Sequence, residues 1–158
     1  MPSASALPRV AAVIVAAGRG SRFGGDLPKQ YCSLAGEPIL SRTLRVFAAH
    51  EGIAAVVTVI HADDAVAYAG LGPALSHDKV LPPVPGGATR QASVLAGLEA
   101  LGGHAIEIVL IHDAARPFVS PALIDAAIMA ARDHGAAVPG APVTDTIVAA
   151  VSYTHLTL

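Results

Sequence analysis

The sequence predicts an α/β fold, a three-layer αβα sandwich built around a mostly parallel, Rossmann-like sheet. Short, continuously apolar segments recur along the chain, and such segments are typical of strands buried on both faces of a parallel sheet. Segments with apolar residues at helical spacing lie between them. This alternation favours right-handed βαβ crossovers and helices on both faces of one sheet.

The predicted elements follow one another without an internal repeat or a linker. The predicted strands are 10–17, 55–60, a short edge strand in 79–84, 106–111, 136–138 and a segment from Val143 onward. The predicted helices are 39–50, a short one from Asp63 that Gly70 breaks, one capped by Thr89 that passes through Val94, Leu95, Leu98 and Leu101, and one from Ser120 to Gly135.

Composition indicates a folded chain of one domain: 158 residues, 53% of them hydrophobic and 14% charged. The net charge is −2 and no block of Lys and Arg stands out, which argues against a nucleic-acid partner. The single cysteine, Cys32, excludes an internal disulfide and is compatible with a cytoplasmic location. The first apolar run is too short to span a membrane, so no membrane partner is expected.

Three stretches divide the chain. Residues 1–8 are predicted to be a loose leader, since no positive charge precedes an apolar run as in a secretory signal. Residues 9–151 form the predicted domain. Residues 152–158 do not continue its pattern and are interpreted as a non-native tail, in which case the domain is incomplete at its C-terminus.

A glycine-rich loop directly follows the first predicted strand, over residues 18–25. Glycines let backbone N–H groups approach an anion closely, and Arg19, Arg22 and Lys29 add positive charge. The glycine spacing matches neither the dinucleotide fingerprint nor a P-loop. The loop therefore suits a triphosphate, while the alternative is an ordinary connection with solvated arginines.

Three further segments carry candidate chemistry. A Gly-Gly turn at Gly86 leads into a helix start whose backbone N–H groups and hydroxyls suit a base edge or a ribose, or simply cap a helix. The segment 112–117 follows a buried strand, where Asp113 suits Mg²⁺ and Arg116 suits a phosphate, or both form a plain surface turn. Thr144 and Thr146 can hydrogen-bond a phosphate, although 142–146 alone also fits a turn.

The chain shows no sequence pattern typical of a nucleophile and its base. Cys32 has no histidine partner in the sequence pattern, and the G-x-S-x-G elbow is absent. His112 is expected to be a packed or hydrogen-bonded histidine rather than a metal ligand. The chemistry indicated is positioning plus charge stabilisation, as in phosphoryl or nucleotidyl transfer.

Taken together, these segments resemble the 2-C-methyl-D-erythritol 4-phosphate cytidylyltransferase family of isoprenoid biosynthesis, from about Arg9 to Val148. The matching text is Ala16-Ala-Gly18, Gly20-x-Arg22, Pro28-Lys-Gln-Tyr31, Gly87-x-x-Arg90-x-x-Ser93, His112-Asp-Ala-Ala-Arg-Pro117 and Asp145-Thr146. The resemblance implies a fold of the nucleotidyltransferase type. It also implies transfer of CMP from CTP to the methylerythritol phosphate with release of pyrophosphate, Mg²⁺ as cofactor, and a homodimer for the full-length protein.

The resemblance also implies a role for each matched residue. Arg22 and Lys29 would be catalytic, because they would neutralise charge on the CTP phosphates. Asp113 would hold Mg²⁺, and Asp113, Arg116 and Thr146 would face the acceptor. The residues that would line the nucleotide site are Ala16, Ala17, Gly18, Gly87, Arg90 and Ser93.

Two departures from the family pattern keep alternatives open. Ala88 stands where many members have an acidic residue, and members are longer at the C-terminus, which supplies their dimer arm and further basic residues. The alternatives are a ribitol-5-phosphate cytidylyltransferase, another sugar or cofactor nucleotidyltransferase, and an inactive truncated fragment that binds nucleotide. Some members also continue into a second catalytic domain.

Overall fold

The computed structural model of the protein describes residues 8–19 and 27–141. Its helices and strands are, in chain order, β1 (Val10–Ala16), β2 (Ser33–Leu34), β3 (Glu37–Pro38), α1 (Ile39–Ala49), β4 (Ile53–Ile60), α2 (Ala65–Ala69), β5 (Val84–Pro85), α3 (Arg90–Ala100), β6 (Ile108–Asp113) and α4 (Pro121–His134). Short 3₁₀ turns lie at Lys29–Tyr31, Ala62–Asp64 and Gly72–Leu75.

The main sheet has the strand order β5-β4-β1-β6, and every neighbouring pair is parallel. In the register of this sheet, Val15 of β1 pairs with Val59 of β4 on one side and with Asp113 of β6 on the other. Strand β1 is nearly free of solvent contact because neighbours cover both its edges and both its faces. The continuous apolar run predicted this environment, and the mostly parallel α/β fold is confirmed.

Helices cover both faces of the sheet. On one face, Ala12 and Ile14 of β1 pack into a core with Leu44 of α1 and Ile124 of α4. On the other face, Val13 belongs to a second core, and α3 lies over β1 and β4. The three-layer αβα arrangement is therefore present in the described residues. In this described part of the chain, no helix combines the length and apolarity needed to cross a bilayer.

The local signals for helix ends are confirmed. The Thr89 hydroxyl accepts a hydrogen bond from the Ala92 N–H at 3.1 Å, and the Ser120 hydroxyl accepts one from the Leu123 N–H at 3.2 Å. Gly135 ends α4 with φ +83°, a backbone conformation that glycine adopts without steric cost. These side chains satisfy N–H groups that have no partner inside their own helix.

The edge-strand prediction is also confirmed, although the strand is shorter than the segment 79–84. Only Val84–Pro85 pairs with β4, and Val80 adds an isolated bridge to Val56. Proline donates no backbone hydrogen bond, so Pro82 and Pro83 interrupt the ladder between those two points. Strand β6 begins at Ile108 rather than residue 106, after Ala105 turns the chain with φ +50°.

The prediction of a strand at 136–138 is wrong, and the structure contains one hairpin that the sequence analysis did not predict. Residues 136–138 form no strand; they are exposed, with Val138 at 92%, and Pro139 follows them without a backbone donor. The small hairpin of β2 and β3 was not foreseen. It turns at Ala35 (φ +51°) and Gly36 (φ +83°) and delivers the chain to the start of α1. The segment from Val143 onward lies outside the described residues.

Helix α3 buries a different face from the one its leucines suggest. Leu95 and Leu98 are exposed, whereas Ser93 and Gly97 face the sheet. A Cβ atom on Gly97 would lie 2.4 Å from Cγ1 of Val13, so the helix approaches β1 more closely than any other residue type permits. This close approach sets the distance of α3 from the sheet.

Gly97→Ala tests that packing. Helix propensity alone favours alanine by about 1 kcal/mol, but the new methyl group overlaps the fully buried Val13 at an expected cost of about 1–3 kcal/mol. We expect the midpoint of thermal unfolding, followed by circular dichroism, to fall. Gly103→Ala is the matched control, because its Cβ would meet nothing within 4 Å. A rise for Gly97→Ala would contradict the close approach.

Candidate active site

The carboxyl ends of β1, β4 and β6 meet at one edge of the sheet, and the candidate segments follow them. Ala16 lies next to Ile60 in the β1–β4 register, and Val15 lies next to Asp113 in the β1–β6 register. Ligand sites in open α/β sheets form at this edge, because loops of neighbouring strands converge there. The structure thus brings together the glycine-rich loop entrance, the Gly-Gly turn and the segment after β6.

The entrance of the glycine-rich loop is held by a side chain that the sequence reasoning did not single out. The amide nitrogen of Gln30 donates to the carbonyl of Ala16 at 2.6 Å and to that of Gly18 at 3.2 Å. Gln30 is buried, and its neighbour Lys29 is exposed at the same edge. These bonds fix the backbone at Ala16 and Gly18, whose expected role is to line the nucleotide site.

The Gly-Gly turn needs both glycines. A Cβ on Gly86 would lie 2.5 Å from the Cβ of Ala17, and one on Gly87 would lie 2.5 Å from the Cβ of Ala92. The turn therefore packs directly against the backbone that follows β1. Its glycines remove the side chains that would otherwise push the two loops apart.

Ser93 of α3 holds the Gly-Gly turn through hydrogen bonds to the backbone. Its buried hydroxyl accepts a hydrogen bond from the Gly87 N–H at 3.2 Å and donates to the Thr89 carbonyl at 3.0 Å. Direct contact of Ser93 with a nucleotide stays a prediction. The geometry gives Ser93 a second task, which is to hold Gly87 in place.

Asp113 lies between two arginines. Its Oδ1 accepts from Nη2 of Arg90 at 3.0 Å, and its Oδ2 forms an ion pair with Nε of Arg116 at 3.1 Å. Arg90 begins α3 and Arg116 follows β6, so these bonds connect two of the candidate segments. All three side chains keep solvent exposure, which leaves them accessible to a charged ligand.

The segment 112–117 is fixed by buried contacts on its other side. His112 packs against the ring of Phe47 at 4.8 Å between centroids, and its Nε2 bonds to the Arg116 carbonyl at 2.8 Å. Burial lowers the pKa of His112, so the imidazole is held neutral, as expected for a packed histidine. The hydroxyl of Thr43 donates to the Ala114 carbonyl at 2.9 Å from within α1.

Arg19 was expected to contribute positive charge to the glycine-rich loop, but its guanidinium is bound by carboxylates of the protein. Its guanidinium donates to Asp64 at 3.0 Å and to Asp63 at 2.7 Å, so its positive charge is already compensated within the protein. Arg19 is therefore corrected from a source of free positive charge to the partner of two carboxylates. Arg22 and Thr146 lie outside the described residues.

An open cleft of about 820 Å³ connects the charged groups. Lys29, Arg90, Asp113 and Arg116 line one part of it, and the rest is mostly apolar, formed by side chains of α1, β6 and α4 and of the segments 117–119 and 138–139. Its volume suits a nucleotide-sized molecule, since ligand clefts commonly measure about 300–1,000 Å³. The cationic part is able to bind phosphates, while Asp113 supplies the carboxylate.

A metal at this edge would depend on Asp113. Among the described residues, no group of three or more His, Cys, Asp or Glu side chains is placed to hold a metal ion by itself. Mg²⁺ commonly binds through one or two carboxylates plus substrate phosphates, so a single carboxylate beside a phosphate site fits an ion that arrives with a triphosphate.

Sequence reasoning missed Gln30 and Thr43 as supports of the site. Gln30 lies inside the matched Pro28–Tyr31 text, but nothing in that text reveals which carbonyls its amide reaches. Thr43 interrupts the apolar face that Leu40, Leu44 and Phe47 give to α1. A polar residue on a buried helix face was the available signal for it.

Gln30→Met tests the anchoring of the loop entrance. The substitution keeps the side-chain length but leaves the buried carbonyl of Ala16 without its donor, at an expected cost of about 1–3 kcal/mol. We expect a lower free energy of unfolding in urea. Gln91→Met is the control, since Gln91 is exposed on α3. Equal stability of the two variants would contradict the anchoring role.

Comparison with known proteins identifies the family of the chain. The family model of 2-C-methyl-D-erythritol 4-phosphate cytidylyltransferase (IspD) matches residues 10–156. Among curated relatives, the bifunctional enzyme IspD/IspF of Bradyrhizobium sp. (strain ORS 278) is 55% identical over 139 residues, covering 88% of this chain and 35% of that protein. The enzyme of the same name from Rhodopseudomonas palustris (strain BisB18) is 57% identical over 143 residues, covering 88% and 34%. The chain thus spans about a third of the length of these relatives.

Solved structures give the same result. A crystal structure of 4-diphosphocytidyl-2C-methyl-D-erythritol synthase superposes with a TM-score of 0.75 at 27% identity, covering 94% of this chain and 67% of the other. The synthase of that name from Anaerococcus prevotii gives 0.66 at 30% identity, covering 80% and 52%. The family match, the sequence relatives and the shared fold agree, and the chain belongs to the 2-C-methyl-D-erythritol 4-phosphate cytidylyltransferase family.

Proposed function

We propose that the protein transfers CMP from CTP to 2-C-methyl-D-erythritol 4-phosphate and releases pyrophosphate, a step of isoprenoid precursor biosynthesis. The observation that carries this proposal is the cleft shared by Lys29, Arg90, Asp113 and Arg116 at the carboxyl edge of the sheet. Cations and one carboxylate around a nucleotide-sized cleft are what phosphate-transfer chemistry requires. Family membership supplies the identity of the two substrates.

The reaction is an in-line displacement. An oxygen of the acceptor's phosphate forms a bond to the α-phosphorus of CTP, and the bond from that phosphorus to the bridging oxygen of pyrophosphate breaks. Arg22 and Lys29 would neutralise the charge that develops on the triphosphate. Removing one such preorganised charge is expected to slow the reaction by about 10²–10³-fold, by analogy with oxyanion-hole donors.

The ion pairs of Asp113 with Arg90 and Arg116 imply that a bound phosphate would replace the carboxylate as a partner of an arginine. The single carboxylate of Asp113 pairs with both Arg90 and Arg116, so the three side chains together keep a net positive charge. A triphosphate would offer Arg90 a stronger negative charge, and Mg²⁺ bound by Asp113 together with the phosphates would supply further neutralisation. Arg116 and Thr146 would then face the acceptor phosphate, as the family resemblance implies.

Two further proposals concern the assembly and the location of the protein. We propose a homodimer on the strength of the family resemblance. We propose a cytoplasmic location because Cys32 is a free thiol, which suits a reducing compartment.

Calorimetric titration of the chain with CTP, ATP and GTP, each with Mg²⁺, tests the proposed nucleotide. We expect CTP to bind at least about tenfold more tightly, since each mismatched base leaves a polar group of the site unpaired. Tighter binding of ATP or GTP would contradict the cytidylyl assignment and favour another nucleotidyltransferase class.

A pair of lysine variants controls that titration. Lys29→Ala removes a charge from the cleft and is expected to weaken CTP binding. Lys79→Met is the matched control, because Lys79 bonds to the His50 carbonyl at 2.7 Å, before the amino end of β4 and away from the cleft. Equal CTP affinity of the two variants would remove Lys29 from the site.

A further inference from the structure

Arg19 is the first side chain after Gly18, and it is tied to the end of β4. Its Nη1 donates to Oδ1 of Asp64 at 3.0 Å, and its Nη2 donates to Oδ2 of Asp63 at 2.7 Å. Nη2 also lies 2.6 Å from Nδ1 of His61, which must accept, because a guanidinium has no acceptor atom. The residue following the nucleotide-lining backbone is therefore fixed from one side by three groups.

The two carboxylates differ sharply in burial. The side chain of Asp64 is 5% exposed, whereas that of Asp63 is 76% exposed. A buried carboxylate is costly unless it is paired, so Arg19 is the partner that permits Asp64 to be charged there. The ion pair with Asp63 is screened by water and contributes little.

Two buried polar atoms have no hydrogen-bond partner among the described residues, namely Oδ2 of Asp64 and the hydroxyl of Tyr31. Burial raises the pKa of the Tyr31 hydroxyl, and the negative charge of Asp64 raises it further. The charge of Asp64 therefore acts on the Lys29–Tyr31 turn as well as on Arg19.

Gln30 joins the Lys29–Tyr31 turn to the loop entrance, because its amide donates to the carbonyls of Ala16 and Gly18. Gln30 fixes the carbonyl side of the loop entrance, and Asp64 fixes its first charged side chain. The nucleotide-lining backbone at Gly18 is held between these two buried supports.

Building on the proposed function, we propose that Asp64 is a positioning residue for triphosphate binding. By holding the guanidinium of Arg19, it keeps Gly18 and Arg19 at the end of β1 in the arrangement that receives the phosphates. Nothing in the family match assigns a role to Asp64.

Electrostatics alone predicts the opposite effect. A carboxylate near a triphosphate repels it, and neutralising that carboxylate would also release Arg19 to bind phosphate, so Asp64→Asn would tighten CTP binding. A positioning role predicts weaker binding, since Gly18 and Arg19 lose their support. The sign of the change in CTP affinity therefore separates the two explanations.

The test compares Asp64→Asn with Asp63→Asn by calorimetric titration with Mg·CTP, below the unfolding midpoint of each protein. We expect about a tenfold weaker affinity for Asp64→Asn and less than about a twofold change for Asp63→Asn, which contacts the same arginine from solvent. Unchanged or tighter binding by Asp64→Asn would overturn the proposal.

A double-mutant cycle with Arg19→Gln shows whether Asp64 acts through Arg19. We expect Asp64→Asn to cost no further affinity once Arg19 is replaced, because the two residues form one unit. If Arg19→Gln and Asp64→Asn instead weaken binding independently, Asp64 does not act through Arg19 and the proposal fails.

Backbone ¹⁵N relaxation of the ligand-free variants supplies a readout that does not need CTP. Asp64→Asn is expected to lower the order parameters at Gly18 and Arg19, with Asp63→Asn unchanged. If the wild-type chain binds no CTP, the proposed function fails, and relaxation still decides whether Asp64 positions the loop entrance. Unchanged order parameters in Asp64→Asn would overturn the inference.

Discussion

The parallel pairing of β1 with both β4 and β6 is the constraint on which the rest of the structure depends. Because all three strands run the same way, their carboxyl ends lie at one edge, and each following loop begins there. The apolar residues of β1 permit this, since a strand in that position must be buried on both faces. Gly97 completes the arrangement by letting α3 lie directly on β1.

At that edge, buried uncharged contacts hold charged groups in place. Gln30, Ser93 and Thr43 each bond to backbone, and each supports a different segment of the site. The charged side chains above them pair with one another across segments, as in the bridge from Arg90 to Asp113. The described site is thus held in place by contacts within the protein.

Local patterns predicted the fold well, because strand burial and helix capping depend on residues that lie close together in the sequence. Thr89 and Ser120 begin their helices and Gly135 ends one, as expected, whereas the predicted strand at 136–138 is absent. The site was predictable as a set of segments but not as a set of contacts. Arg19 and Asp64 lie 45 positions apart, and Thr43 and Ala114 lie 71 apart. Pairing over such separations depends on the folded topology, so the exposed leucines of α3 and the compensated charge of Arg19 could not be foreseen.

Chemical-shift mapping of the ¹⁵N-labelled chain with Mg·CTP tests whether the carboxyl edge of β1 and β6 binds the nucleotide. If it does, we expect the largest amide shifts at Gly18, Gly87 and Asp113, and none at Gly52 and Asp125, which line a separate cleft. Shifts concentrated at Gly52 and Asp125, with the carboxyl edge unchanged, would contradict it.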